Sequence, residues 1–264
     1  MNQTQSQSYA LVTGASSGIG WHMAENLAQR GYSIVAISNQ PADLLALKNT
    51  IEPIHAVTVI TLNMDLAQEN SARQVFNFCE EKKLEVEVLV NNAGMLVFGQ
   101  VLTVDYTLTK TIMNLHMITP ALLCKLFGEK MTARGKGSIL NVSSISAVMP
   151  YPGISLYGPT KAFLRLFTRA LRTETKPFGI RVTCLIPGAT ATNLYDAHQY
   201  NIPLLVKLGV FKKPESVAKA GINALFKNRP ICIPGLLNKL IVFFLPFIPH
   251  FVIGLVYRKT DIVL

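Results

Sequence analysis

Tyr9-Ala10-Leu11-Val12-Thr13-Gly14-Ala15-Ser16-Ser17-Gly18-Ile19-Gly20 is the stretch whose reading decides the fold. Residues 9–13 are a short apolar run suited to a buried strand, and 19–30 follow with helical spacing. Gly14 stands where a strand turns sharply into a helix, a place that needs backbone angles closed to other residues. Gly18 and Gly20, with Ser16, Ser17 and Ile19 beside them, let the backbone and the helix N-terminus approach a ligand. The unpaired N–H groups of a first helical turn favour an anion such as a pyrophosphate. The spacing is G-x-x-x-G-x-G, a variant of the dinucleotide turn G-x-G-x-x-G. A tight turn that binds nothing is the alternative.

Further strand-like runs lie at 34–38, 56–62, 86–91, 138–143 and 180–186, with a weaker one at 231–233. Helical stretches such as 71–82 separate them. This alternation predicts an α/β fold: a Rossmann-type, doubly wound parallel sheet in three layers, as a single domain with a C-terminal apolar extension. Residues 1–235 form the expected dinucleotide-binding catalytic domain. Within it, 193–213 reads as a substrate-loop insertion, rich in residues such as Leu194, Tyr195, Tyr200 and Phe211. A segment of that kind after a strand's carboxyl end is placed to cover a ligand crevice; a surface helix packed on the core is the alternative. Residues 236–264 are the extension.

The 264 residues are half hydrophobic and only 15% charged, which excludes a disordered chain. The formal net charge is +10. Residues 1–200 carry 16 Lys and Arg against 13 Asp and Glu, whereas 201–264 carry 9 against 2. The excess is therefore local to the last quarter, which argues against a nucleic-acid partner. Cys79, Cys124, Cys184 and Cys232 are scattered and form no CxxC, so they read as core residues in a reducing compartment, and no metal site is expected. Residues 1–8 are polar and unlike a signal peptide, so the expected location is cytoplasmic, with membrane association left open by the extension.

Tyr157 and Lys161 are four apart, so on a helix spanning 156–176 they share one face. A phenol titrates near ~10 and is a poor acid–base group at neutral pH; a neighbouring ammonium lowers that value. Pro159 suits a first helical turn, which places the helix start near 156–158. There the helix dipole also favours a phenolate. Ser144 stands just past a strand's carboxyl end, where its hydroxyl can reach a crevice and bond a carbonyl or alcohol oxygen.

The order of these motifs resembles the short-chain dehydrogenase/reductase family over roughly residues 8–235. The match runs through Thr13–Gly20, Asn91-Asn92-Ala93-Gly94, Asn114, Ser144, Tyr157-Gly158-Pro159-Thr160-Lys161 and Pro187-Gly188. The resemblance implies an NAD(P)(H)-dependent oxidoreductase interconverting a carbonyl and a secondary alcohol. It implies that Tyr157 is the general acid or base, that Ser144 holds the substrate oxygen, and that Lys161 lowers the tyrosine pKa and binds the nicotinamide ribose. Asn114 would support a proton-relaying water, or else be a capping or kink-filling amide. Asn91, Ala93, Gly94, Pro187, Gly188, Thr190 and Thr192 would border the cofactor, the two threonines being ordinary loop residues otherwise. Dimers or tetramers are usual in the family.

Ser38 occupies the position where an NAD-preferring member carries an acidic residue, and Asn39 follows it. With no carboxylate there, NADP(H) is favoured over NAD(H), although no Arg or Lys stands at Ser17 or Asn39. Asp65 matches an aspartate expected near the adenine, or else caps a turn. Met95, Leu96, Met149, Tyr151, Ile154 and the insertion suggest a hydrophobic substrate, such as a 3-oxoacyl chain or a steroid-like ketone. Residues 240–257 carry no Asp, Glu, Lys or Arg, but Pro246, Pro249 and Gly254 argue against one straight helix. Residues 236–259 are therefore expected either to contact a membrane peripherally or to pack on the domain or a partner copy. A catalytically silent dinucleotide sensor and a membrane-surface interaction protein are the competing functional readings.

Overall fold

Strand β1 (Ser8–Thr13) lies inside the sheet, third of seven strands. The computed structural model describes residues 7–149, 151–192, 194, 204, 206 and 210–259. On one side of β1 stand β2 (Ser33–Ser38) and β3 (Val59–Asn63); on the other stand β4 (Glu85–Asn91), β5 (Gly137–Val142), β6 (Ile180–Leu185) and β7 (Ile231–Cys232). The order is β3-β2-β1-β4-β5-β6-β7 and every pairing is parallel. The chain reverses direction across the sheet between β3 and β4, so the carboxyl ends of β1 and β4 diverge into a crevice where ligands bind in such folds. This is the doubly wound architecture expected from the alternation.

Helices cover both faces because the strands are apolar on both faces. β2 and β5 are buried at every residue. Along β1, Leu11 points to one face and Val12 to the other. Val12 joins Met23 and Leu27 of α1 (Gly18–Ala28), Leu47 of α2 (Pro41–His55) and Ile222 of α7 (Pro214–Phe226). Leu11 joins Val75 of α3 (Ser71–Glu81) and Phe127 and Met131 of α5 (Thr119–Arg134). Each such fully buried side chain contributes about 1.5–3 kcal/mol through water exclusion. Cys79, Cys124 and Cys184 are buried with them, and burial pushes each thiol up to about 12.

The boundaries differ from the sequence expectation where a helix end intervenes. The strand expected at 56–62 starts at Val59, because α2 runs to His55 and Ala56 closes it in the left-handed conformation, φ +50°. Helix α4 (Tyr106–Met113) runs through a π-helical turn (Asn114–Ile118) into α5. Helix α6 starts at Tyr157, as Pro159 required, and runs to Thr175. Most of the 193–213 segment lies outside the described residues, but its ends are joined: Ala191 N–H donates to Lys212 O and Lys212 N–H to Ala189 O. Of the extension, 236–259 is described. It forms α8 (Leu236–Phe244), a single 3-10 turn (Leu245–Phe247) and α9 (His250–Lys259). No helix among the described residues is long and apolar enough to cross a membrane.

The glycine turn has no room for side chains. A Cβ at Gly20 would sit 2.0 Å from the Gly14 carbonyl oxygen. Gly20→Ala is therefore expected to destabilise the protein by about 3 kcal/mol, the upper end of overpacking costs. Urea unfolding should show a lower midpoint at unchanged slope; an unaltered midpoint would refute the tight turn.

Candidate active site

Thr13 and Asn92 hold the ends of β1 and β4 together at the floor of the crevice. Thr13 Oγ1 donates to Val90 O (3.2 Å) and accepts from the N–H groups of Asn92 (2.9 Å) and Ala93 (3.0 Å). Asn92 Nδ2 returns bonds to the carbonyls of Thr13 (3.0 Å) and Gly14 (3.2 Å). Above this clamp runs a groove of about 460 Å³. Gly14, Ser16, Ser17, Gly18, Ile19, Ser38, Asn39, Asp65, Ala93, Gly94 and Thr192 line it. It continues into a narrower space of about 70 Å³ bounded by Ser144, Tyr157, Lys161, Pro187, Gly188 and Thr190. Ile19, Gly94, Met95, Thr192 and Leu194 border both parts, so the two form one cleft.

The groove end suits an extended anionic ligand. Gly14 and Gly18 hold φ of +64° and +55°, and a Cβ at Gly18 would lie 2.8 Å from the Thr192 side chain. Ser17, extended at the N-cap of α1, makes no side-chain cap, and the first turn carries no acidic residue. The positive end of the helix is thus open toward the groove. Further along, Ser16 Oγ and Ser38 Oγ are 2.8 Å apart, and Ser38 Oγ also accepts from Gln40 N–H. Asp65 lines the groove and also holds its own turn, accepting from Ala67 N–H (2.9 Å) and Gln68 Nε2 (3.0 Å). The turn-holding reading of Asp65 is thus seen directly, in a side chain that also borders the groove.

The narrow end brings two elements together. Ser144 follows β5, and its Oγ accepts from Ser146 N–H (3.2 Å), leaving its own O–H to donate into the cleft. Tyr157 opens α6. Lys161, one turn on, is almost wholly buried, and its Nζ lies 5.8 Å from the Tyr157 ring centre and donates to Val142 O (3.2 Å). Burial lowers the Lys161 pKa to about 8. Ser143 Oγ donates to Lys161 O (2.7 Å), which fixes α6 against the end of β5.

Three expected site residues stand behind the cleft wall. Gly20 shapes the turn. Asn91 is buried beneath and donates through Nδ2 to Asn141 Oδ1 (2.8 Å). Asn114 sits in the π-helical turn, where its Nδ2 donates to Ala67 O (3.0 Å) and its carbonyl accepts from Thr119 N–H. π-turns inside α-helices often mark functional sites.

The same turn carries a residue that sequence reasoning missed. His116 is buried, and its Nε2 accepts from Met95 N–H (3.0 Å), so the ring proton resides on Nδ1. Nδ1–H then donates to Thr160 Oγ1 (3.0 Å), which donates to Tyr157 O (2.8 Å). The ring meets that of Tyr157 edge-on at 5.6 Å. Burial, aided by the Lys161 charge, holds the imidazole well below its ordinary pKa. His116 is thus a neutral strut between the Gly94–Met95 wall and the first turn of α6. The available signal was its place two residues after Asn114, which no spacing rule marks.

Among the described residues no three His, Cys, Asp or Glu side chains are grouped to hold a metal. The family description "short chain dehydrogenase" matches residues 8–201. A very-long-chain 3-oxoacyl-CoA reductase of Danio rerio is 34% identical over 194 residues, which is 70% of this chain and 59% of that protein. The chain thus spans about three fifths of the length of that relative. A short-chain dehydrogenase from Sphingobium yanoikuyae, solved in complex with NADPH, superimposes with a TM-score of 0.79 at 28% identity, covering 87% of this chain and 88% of that one. A bulky-bulky ketone specific alcohol dehydrogenase from Comamonas testosteroni gives 0.76 at 28% identity, covering 89% and 90%. With the glycine turn, the Ser144–Tyr157–Lys161 set and the sheet order in agreement, the chain belongs to the short-chain dehydrogenase/reductase family of oxidoreductases.

Proposed function

We propose that the protein is an NADP(H)-dependent reductase or dehydrogenase that interconverts a carbonyl and a secondary alcohol on a hydrophobic substrate. The observation that carries this reading is the convergence of Ser144, Tyr157 and Lys161, from two elements, at the closed end of a groove whose other end is a glycine turn. The residues present fit a dinucleotide. The turn from Gly14 to Gly20 would hold the pyrophosphate. Ser16, Ser38 and Asn39 offer neutral donors, with no carboxylate against a 2′-phosphate. Asp65 would meet the adenine, and Ala93, Gly94, Pro187, Gly188, Thr190 and Thr192 would border the nicotinamide half. Bound there, the nicotinamide supplies the hydride.

The chain's own residues control the proton. Ser144 O–H donates to the substrate oxygen. Tyr157 gives that oxygen its proton during reduction, or takes it during oxidation. Lys161 favours the phenolate and holds a ribose hydroxyl. Asn114 donates through Nδ2 to Ala67 O, which stabilises the π-turn beneath the cleft, and the resemblance adds a water-supporting role there. Met95, Leu115 and Leu194 give the cleft an apolar wall. That wall, with the acyl-CoA and bulky-ketone relatives, supports a 3-oxoacyl or steroid-like substrate. The partners implied are that substrate, further copies of the chain in a dimer or tetramer, and a membrane surface at residues 236–259.

A substrate panel with NADPH and NADH tests the reading. Tyr157→Phe should lower kcat about 10²–10⁴-fold, the worth of general acid–base catalysis, while cofactor fluorescence still reports binding. Binding without turnover over a broad carbonyl panel would favour the silent sensor. Ser38→Asp should swing the ratio of kcat/KM from NADPH toward NADH about tenfold or more, because a carboxylate repels the 2′-phosphate and accepts from ribose hydroxyls.

Lys161 adds a pH signature. Its pKa falls from 10.5 to about 8 on folding. Below both values each state holds the proton, and the burial penalty is fully present. Between them the unfolded chain holds a proton that the folded chain lacks, so stability rises with pH. The stability difference between the natural protein and Lys161→Met should therefore shift in favour of the natural protein from about pH 8 to 10.5. Urea unfolding across that range would show a flat difference if Lys161 kept its ordinary pKa.

A further inference from the structure

Helix α8 carries an apolar stripe on its outward face. Leu236, Leu240, Phe243 and Phe244 share one face at helical spacing, and that face is exposed; Phe243 shows 63% of its surface. The inward face is Asn238, only 6% exposed, with Ile241 and Val242 half-buried beside it. Its Nδ2 donates to Pro234 O (2.7 Å), and it packs so closely on Gly188 that a Cβ there would meet its Oδ1 at 2.4 Å. An apolar stripe that turns away from its own core, anchored by a buried amide, is fitted to a medium other than water. The stripe continues past the bend: Phe247 is 74% exposed, and Phe251 and Leu255 of α9 are exposed while Ile253 is the inward contact.

This arm frames the catalytic mouth. Gly188 walls the narrow end of the cleft, and α8 packs on the turn Ile145–Val148 that follows Ser144. Tyr257 of α9 accepts a bond from Gln100 Nε2 (3.3 Å) and approaches Gly153. The loop holding Gln100 adds exposed Phe98, Val101 and Leu102.

Charge distinguishes the possible occupants. Residues 216–260 contain no Asp or Glu but hold Lys219, Lys227, Arg229, Lys239, Arg258 and Lys259. Lys239 is exposed beside the stripe, Lys212 reaches Gly235 at the start of α8, and Arg229 and Lys239 both act electrostatically on Cys232. Two copies of the chain meeting arm to arm would oppose like charges with no carboxylate in the arm to relieve them. An anionic lipid surface supplies both missing components, hydrocarbon for the stripe and negative headgroups for its cationic border.

We propose that residues 236–259 dock the protein on anionic lipid, α8 and α9 lying in the plane of the interface, with the catalytic mouth opening beside the bilayer. Both helices are too short to span, at 9 and 10 residues. The docking rests on the arm's own chemistry and holds whether or not the carbonyl substrate is lipophilic.

Flotation of the full chain with vesicles tests this. With phosphatidylcholine–phosphatidylglycerol vesicles the chain should float; with phosphatidylcholine alone, or at high salt, the bound fraction should fall about tenfold. Phe243→Ser combined with Phe247→Ser should keep the circular dichroism spectrum and lose about tenfold or more in vesicle binding. Lys239→Glu, outside the apolar packing, should weaken binding about fivefold or more at low salt. A chain that stays in the aqueous phase with both vesicles, or a double variant that floats undiminished, overturns the proposal. Loss of mass by the double variant in light scattering, with no flotation of the natural protein, would assign the face to a second copy instead.

Discussion

The bonds between Thr13 and the first residues after β4 are the constraint on which the rest of the structure depends. Parallel strands whose next crossovers leave on opposite faces tend to splay at their carboxyl ends. Here one hydroxyl takes two backbone N–H groups and returns its proton to Val90 O, while the Asn92 amide binds the first two carbonyls of the turn. The crevice therefore opens at a set width. The glycine turn, Ala93 and Gly94 stand along its edges, and Ser144 and α6 close one end because β5 is in register with β4. An apolar pair in place of Thr13 and Asn92 would leave carbonyls and N–H groups without these partners at the floor of the crevice.

The motifs that depend on backbone shape or on short spacings were legible in the sequence. The glycine turn requires particular residues at particular steps, and Tyr157 with Lys161 needs only a helix, whose start Pro159 announced. Asn91 and Asn114 were legible as positions but not as contacts. Their amides turn to Asn141 and Ala67, partners 50 and 47 residues away, which spacing along the chain cannot reveal. His116 was invisible for the same reason: a histidine in a helix reads as an ordinary residue until its three neighbours from other elements are known. The apolar extension was legible in composition, and its direction was not. Residues 236–244 look the same in sequence whether the stripe faces the core or faces away, and the exposure of Phe243 and Phe244 against the burial of Asn238 decides it.

The narrow end of the cleft is costly to build. A buried ammonium beside one carbonyl is poorly solvated, and the lowered pKa of Lys161 is the measure of that penalty. The neutral His116 strut limits the damage. A protonated imidazole there would add a second charge to the first, and its burial prevents that. The strain is held in place by elements that are otherwise fully packed: Ser143 on the backbone of α6, Thr160 on its first turn, and Asn141 on Thr168. Stability spent at the narrow end is recovered in the two apolar layers on either side of the sheet.

The pairing of Ala189 and Ala191 with Lys212 has a consequence for how such a chain can change over generations. It brings the two ends of a twenty-residue excursion to one point on the rim of the cleft. Closing a loop on fixed ends costs only about 0.6 kcal/mol more when its length doubles. The segment between the ends can therefore be exchanged, lengthened or shortened like a cassette, with the sheet, the glycine turn and the Tyr157–Lys161 pair left as they are. Change can accumulate there while the sheet beneath stays constant.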